Sequence, residues 1–463
     1  MLRRTFLVLL AAILTVGSSS ATAQARRPSG DDGSLPLPGY TISNPPLTLL
    51  TVNGSPTAVT QGVYHHAAFD LEVPPRWNGQ LVLWAHGYRG QGTVLTVDPP
   101  AYGLRQTFES EGYAWAASSY YDNGYDVASG VLSEHDLARH VGDLLRHRPS
   151  RTYIVGVSMG GHVIARSLEQ FPHFYAGALP MCGVLGDDRL FDFFADYNLV
   201  AQDLAGVPDY PATADYPSAD VPTIESRLGL AGLRPGQDPT NALGRQLQAI
   251  TVQQSGGPRP GANASFSIWK DFLFSLWTPD NGGTLAQNPG RLSQNLSTRY
   301  RPNAPVDVDG TVLRIASTDH RSRRTHSLIQ IPRIKGTPHV PVLSLHGLGD
   351  MFVPFSMEQD YAREVAEHHE SHLLVQRAVR EAGHCEYTPI EVGRAWSDLQ
   401  RWVQARGDGK HGDEARPAGD DVLDPGAVAA ADFGCRFTDQ GAYADPKDFP
   451  TRALFARCAP QRP

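Results

Sequence analysis

The chain is poor in several things, and each shortage excludes something. Past its first residues no stretch offers the roughly 18 uninterrupted apolar residues that a membrane helix needs, so no span is expected. Positive charge is not in excess: 40 Lys and Arg stand against 48 Asp and Glu, a net charge of -8. That leaves no basic field to hold a phosphate backbone, and nucleic acid is not an expected partner. No G-x-x-x-x-G-K-[ST] occurs, so nucleotide hydrolysis has no support. Histidines four apart at His368 and His372 sit in Glu367-His-His-Glu-Ser-His372, which lacks the H-E-x-x-H order and reads as a solvated polar turn. No metal is expected. Internal repeats are absent, and oligomeric state is not legible.

What is present describes a folded protein. Hydrophobic residues make up 41% of the chain, with 17 Tyr, 17 Phe and 7 Trp for a core and 45 Gly and 36 Pro for many turns. At 463 residues it is too long for one ordinary core, so a catalytic domain with a large insertion or second module is expected. The N-terminus runs from Arg3-Arg4 through an apolar stretch ending near Val16 to Ala23-Gln24-Ala25. Basic, apolar and small residues in that order predict a signal peptide over residues 1–25 and a secreted or periplasmic protein. The arginine pair also resembles a twin-arginine signal, and the export route stays open. No cysteine lies near the cleavage site, which argues against a lipid-anchored form. The four cysteines, Cys182, Cys385, Cys435 and Cys458, are an even number in an exported chain, and one or two bridges are expected.

From about residue 80 strand-like and helix-like segments alternate, the pattern of a mostly parallel sheet with helices on both faces. Leu81-Val-Leu-Trp-Ala85, Tyr113-Ala-Trp-Ala-Ala117, Thr152-Tyr-Ile-Val155 and Ala176-Gly-Ala-Leu-Pro-Met181 read as buried strands. A helix is expected between Ser133 and Arg146, with Ser133 and Asp136 as its cap. The alternation breaks over residues 186–336, where aromatics are scattered between Pro- and Gly-rich joints, so this stretch reads as an inserted lid. The sheet resumes at Val340-Pro-Val-Leu-Ser-Leu345 and Leu373 to Val379. A helix with capping-box spacing at Ser356 and Gln359 lies between them, and a last helix starts at Thr388-Pro389 with Glu391 placed as its box partner. The expected domains are a core of residues 26–185 and 337–405, a lid of 186–336, and a linker and tail of 406–463. In that tail Cys435 and Cys458 are each other's likeliest partners.

Gly156-Val-Ser158-Met-Gly160 matches G-x-S-x-G, directly after an apolar strand and before a helix. A nucleophile on so sharp a turn leaves no space for side chains two residues either side, which explains the glycines. A serine hydroxyl needs a base to take its proton and a third group to orient that base. His384, after the last strand, is the expected base. Asp350, just past a strand end in His346-Gly-Leu-Gly-Asp350, is the expected acid, with Asp187 or Asp188 as the alternative. Backbone N–H donors for an oxyanion are expected from Met159 and Tyr88, with Gly87 as the alternative to Tyr88. His86 reads as a structural histidine.

These pieces resemble the α/β-hydrolase superfamily over residues 81–185 and 340–403, somewhat more than a third of the chain. The resemblance implies an α/β-hydrolase fold and hydrolysis without a cofactor. It also implies the oxyanion loop at His86-Gly87, the nucleophile at Ser158, the acid at Asp350 and the base at His384. His384-Cys385 also resembles part of the tannase and feruloyl esterase arrangement, in which a disulfide joins the neighbours of serine and histidine. Val157 stands where that family has a cysteine, so the family is not assigned. Cys182 either bridges to Cys385 or is a buried free thiol.

The expected function is therefore a secreted serine hydrolase acting on a small-molecule or polymeric carboxylic ester. A peptidase of the same fold is the alternative, with Asp192 and Asp196 as candidate anchors for a free amino terminus. A hydrolase fold that only binds, and acyl transfer to an acceptor other than water, also stay open.

Overall fold

The computed structural model of the protein describes residues 33–407 and 415–459. The expected signal peptide lies outside them, as do residues 408–414 of the expected linker.

Strand β3, Gln80–Ala85, shows how the sequence dictates the layering. Its side chains alternate, and both sets are apolar. Leu81, Leu83 and Ala85 join one core with Val163 and Ile164, while Val82 and Trp84 join another with Trp396 and Leu399. A strand with two greasy faces must be covered on both. Helices α2 (Val127–Leu144) and α3 (Met159–Gln170) cover one side. Helices α1 (Leu104–Glu111) and α9 (Pro389–Gly407) cover the other.

Around β3 lie β1 (Ala58–Tyr64), β2 (Ala67–Val73), β4 (Ala114–Ser118), β5 (Arg151–Val157), β6 (Gly177–Met181), β7 (Val342–Gly347) and β8 (Leu374–Val379). They form one eight-stranded sheet in the order β1-β2-β4-β3-β5-β6-β7-β8. The β1–β2 and β2–β4 pairs are antiparallel, and every other neighbouring pair is parallel. This is the α/β-hydrolase sheet, and the expected fold class holds.

Between β6 and β7 come helices α4 (Arg189–Ala205), α5 (Tyr216–Leu228), α6 (Ala242–Gln254) and α7 (Ala262–Ser275). They bury a core of their own, with Tyr197, Leu204, Leu247, Phe266 and Leu273 at its centre. Helix α8, Ser356–Glu367, follows β7.

Two local readings are corrected. Helix α2 starts at Val127, not near Ser133, because the Asp126 side chain accepts from Ser129 N and caps it there. Ser133 is buried within the helix. Ser356 forms no capping box either, since Gln359 turns its amide to the Gly256 and Val422 carbonyls. The box at α9 does form: Thr388 N donates to Glu391 Oε2 at 2.9 Å and Glu391 N donates to Thr388 Oγ1 at 3.1 Å.

Past residue 414 the chain returns to the sheet. Asp420 N donates to Gln376 O, and Ala378 N donates to the Asp420 carboxylate, both at 2.8 Å, so this segment satisfies edge groups of β8.

Candidate active site

Strand β5 runs into α3 through Ser158, whose φ of 56° and ψ of −123° put a non-glycine residue in a strained conformation. The flanking glycines have one cause. A Cβ at Gly156 or at Gly160 would lie 2.2 Å from the same atom, the Ala85 carbonyl oxygen at the end of β3. The turn therefore seats against the neighbouring strand only if both positions lack a side chain. On its other side Gly87 leaves room for Ser158, since a Cβ there would meet the serine Cβ at 3.0 Å.

Three expected residues come together at this turn. His384 Nε2 lies 2.9 Å from Ser158 Oγ, and His384 Nδ1 lies 2.7 Å from Asp350 Oδ2. An ionised carboxylate only accepts, so it holds the proton on Nδ1 and leaves Nε2 to accept from the serine hydroxyl. Asp350 is fully buried, and its other oxygen accepts from Phe352 N at 2.9 Å and Val353 N at 3.1 Å.

The alternative acids Asp187 and Asp188, and the candidate anchors Asp192 and Asp196, are engaged elsewhere. Asp187 accepts from Asp188 N and from Ile334 N. Asp192 is held by both Nη atoms of Arg323 at 2.8 Å, and Asp196 accepts from the Tyr300 hydroxyl at 2.6 Å. His86 stacks on Tyr120 with ring centroids 3.8 Å apart, and burial lowers its pKa to about 3. It is a neutral, packed ring at a strand end. Among the described residues, neither the Met159 nor the Tyr88 amide donates a loop, turn or cap hydrogen bond. Tyr88 is 40% exposed.

The loop carrying His384 is gripped from four directions. A disulfide joins Cys385 to Cys182 at the end of β6, with Cα atoms 5.3 Å apart. The Tyr102 hydroxyl donates to Cys385 O at 2.9 Å. From the tail, Thr451 Oγ1 accepts from Ala382 N at 2.8 Å and Gly383 N at 3.2 Å. From α7, Trp269 Nε1 donates to Ala382 O at 2.7 Å and to Gly349 O at 3.1 Å, spanning the histidine and aspartate loops. Arg259 Nε adds a bond to Leu348 O at 2.6 Å. Sequence reasoning missed Tyr102, Arg259, Trp269 and Thr451, since nothing local marks a side chain whose partner is a backbone carbonyl or amide far along the chain.

Aromatic rings stand over the histidine. Phe352 is tilted against His384 at 4.8 Å, Phe272 meets Phe352 edge-on at 4.6 Å, and Phe194 lies 6.1 Å from Phe352. The second disulfide, Cys435–Cys458, closes the tail with Cα atoms 5.6 Å apart. His368 and His372 belong to no metal-spaced group among the described residues. The group of that spacing found there is Cys182, His384 and Cys385, whose sulfurs are committed to the disulfide. Among the described residues no helix is long and apolar enough to cross a membrane.

Strand order, the serine turn and the two helix layers together define the α/β-hydrolase fold. Particular relatives are distant. No protein-family model matches the chain. Over 60 residues it is 38% identical to an o-phthalyl amidase of Xanthobacter agilis, a match covering 13% of each protein. Among solved structures it is similar to an esterase from Aspergillus oryzae, at 12% identity over 72% of this chain and 76% of that one, TM-score 0.36. It is also similar to a proline iminopeptidase from Mycobacterium smegmatis, at 11% identity over 78% of this chain and 100% of that one, TM-score 0.35. Structural likenesses of this strength say nothing of the substrate.

Proposed function

We propose that the protein is a secreted serine hydrolase that cleaves a carboxylic ester through Ser158, His384 and Asp350. The observation that carries this reading is the hydrogen-bonded line from Asp350 through His384 to Ser158, on a strained turn at the end of β5. His384 takes the serine proton as Oγ attacks the acyl carbon, and Asp350 stabilises the imidazolium that forms. The tetrahedral oxyanion is received by the Met159 and Tyr88 amides. His384 then gives its proton to the leaving alcohol, and water repeats the sequence on the acyl-enzyme.

The Phe352, Phe272 and Phe194 rings favour a bulky apolar or aromatic group beside His384. Two disulfides support an extracytoplasmic location. One observation favours a second reading, amide cleavage: the short match to an o-phthalyl amidase. The peptidase reading loses support, because Asp192 and Asp196 are already engaged by Arg323 and Tyr300.

The test is the steady-state rate on p-nitrophenyl acyl esters and acyl p-nitroanilides, aromatic acyl groups included, beside Ser158→Ala and His384→Ala. Ester cleavage reduced by about 10³-fold or more in both variants is expected. Turnover of anilides alone would replace ester with amide. No turnover, and no labelling of Ser158 by a fluorophosphonate, would leave a fold that only binds.

A further inference from the structure

Helix α4 has two faces with different business. Phe191 packs on Tyr125, and Phe194 stacks on Phe352, the ring beside His384. Asp188, Asp192 and Asp196, one turn apart, line a separate cavity of about 850 Å³, which none of Ser158, Asp350 and His384 borders. The cavity lies where the inserted helices, the start of α8 and tail residues Leu423, Pro425 and Val428 meet.

Its lining is strongly charged and unbalanced: six arginines against four aspartates, with His320 besides. Some of this charge is spent internally. Arg323 holds Asp192 through two bonds of 2.8 Å, Arg363 holds Asp360 at 2.8 Å, and Arg189 reaches Glu364 at 2.6 Å. Arg299 and Arg324 are not spent. Both are exposed, and neither side chain has a hydrogen bond or ion pair among the described residues.

The aspartates do not restore the balance. Burial raises Asp196 to about 8, and burial with Asp187 alongside lifts Asp188 well above the ordinary carboxylate range. Burial thus works against the charged form of both carboxyls. Asp188 is only 3% exposed, and its Oδ2 lies 3.2 Å from Arg323 Nε without a hydrogen bond's geometry. The cavity is thus lined by a buried Asp188 oxygen that is ion-paired with Arg323 but makes no hydrogen bond, and by two uncommitted guanidinium groups.

We infer that this cavity is a second binding site, distinct from the serine centre, for a small polyanion carrying two or more carboxylate or phosphate groups. Guanidinium groups bind such anions through paired, charge-assisted hydrogen bonds, and Arg299 and Arg324 are the groups open to do so. A cavity of about 850 Å³ is within the usual range for a small-molecule site. Because α4 also carries Phe194, which stacks on the Phe352 ring beside His384, an occupant would bear on a helix that reaches the serine site.

The experiment is isothermal titration of the full mature protein with citrate and with inorganic pyrophosphate at low ionic strength, with sodium chloride as control. It is repeated on the double variant Arg299→Ala/Arg324→Ala, whose surface positions spare the fold. Saturable binding of either anion, weakened at least tenfold in the variant while ester turnover without anion is unchanged, is the expected result. Absence of saturable heat with both anions, or equal binding by the variant, would overturn the inference. The readout is heat, so it stands whether or not Ser158 is the nucleophile.

Discussion

At Ser158 the backbone conformation costs of order 1–3 kcal/mol, and it persists because Gly156 and Gly160 let the turn press on the Ala85 carbonyl. Either glycine to alanine would thrust a methyl into that oxygen. Asp350 shows a different economy: one oxygen is tied by two amides, so only the other faces His384. Asp350→Asn preserves shape but presents either a donor or a poorer acceptor to Nδ1. The imidazole then loses the proton arrangement that leaves Nε2 free to accept from serine. A fall in kcat of about 10⁴-fold is expected, with KM little changed and the melting temperature near that of the parent. Kinetics on the best ester of the panel and a thermal melt check it; a loss below tenfold would remove Asp350 from its proposed role.

At the scale of elements, what the sequence showed and what it hid divide by range. The elbow was legible because strand, glycine, serine, glycine and helix are adjacent in the chain. The α9 cap was legible because Thr388 and Glu391 are three apart. Asp350 and His384 were legible from their order after β7 and β8. Strands β1 and β2 were missed, since the alternation was read only from about residue 80, and Asp126 was overlooked as the α2 cap. The clamp on the two loops was illegible because Trp269 meets Gly349 and Ala382 only once α7 packs on the sheet. That clamp has a consequence for rate. Trp269→Phe keeps a ring in the gap and removes the N–H that bridges both loops. If the indole fixes the spacing of Asp350 and His384, kcat falls about 10- to 100-fold while KM moves less than about threefold. A matched rise in KM with unchanged kcat would instead make Trp269 a substrate contact.

On the scale of the whole molecule, distant segments converge on one short loop. β6, α7, the loop before α1 and the tail supply Cys182, Trp269, Tyr102 and Thr451, and each holds residues within three positions of His384. A histidine loop on the surface of a sheet has little core beneath it, so its order has to come from such ties. The disulfide is the strongest, because it joins residues 203 apart in the chain. Loop-closure reasoning makes a bridge of that span worth about 2–5 kcal/mol to the folded state. Cys182→Ser/Cys385→Ser should therefore lower the denaturant midpoint and raise the slope m, because the unfolded chain without its crosslink exposes more surface. It should also lower kcat at 25 °C, where the variant is still folded, because His384 then samples positions out of reach of Ser158. Urea titration and kinetics on the same preparation separate the two effects. A lowered midpoint with unaltered kcat would show that Trp269, Thr451 and Tyr102 suffice to hold the base, and would reduce the bridge to a purely stabilising link.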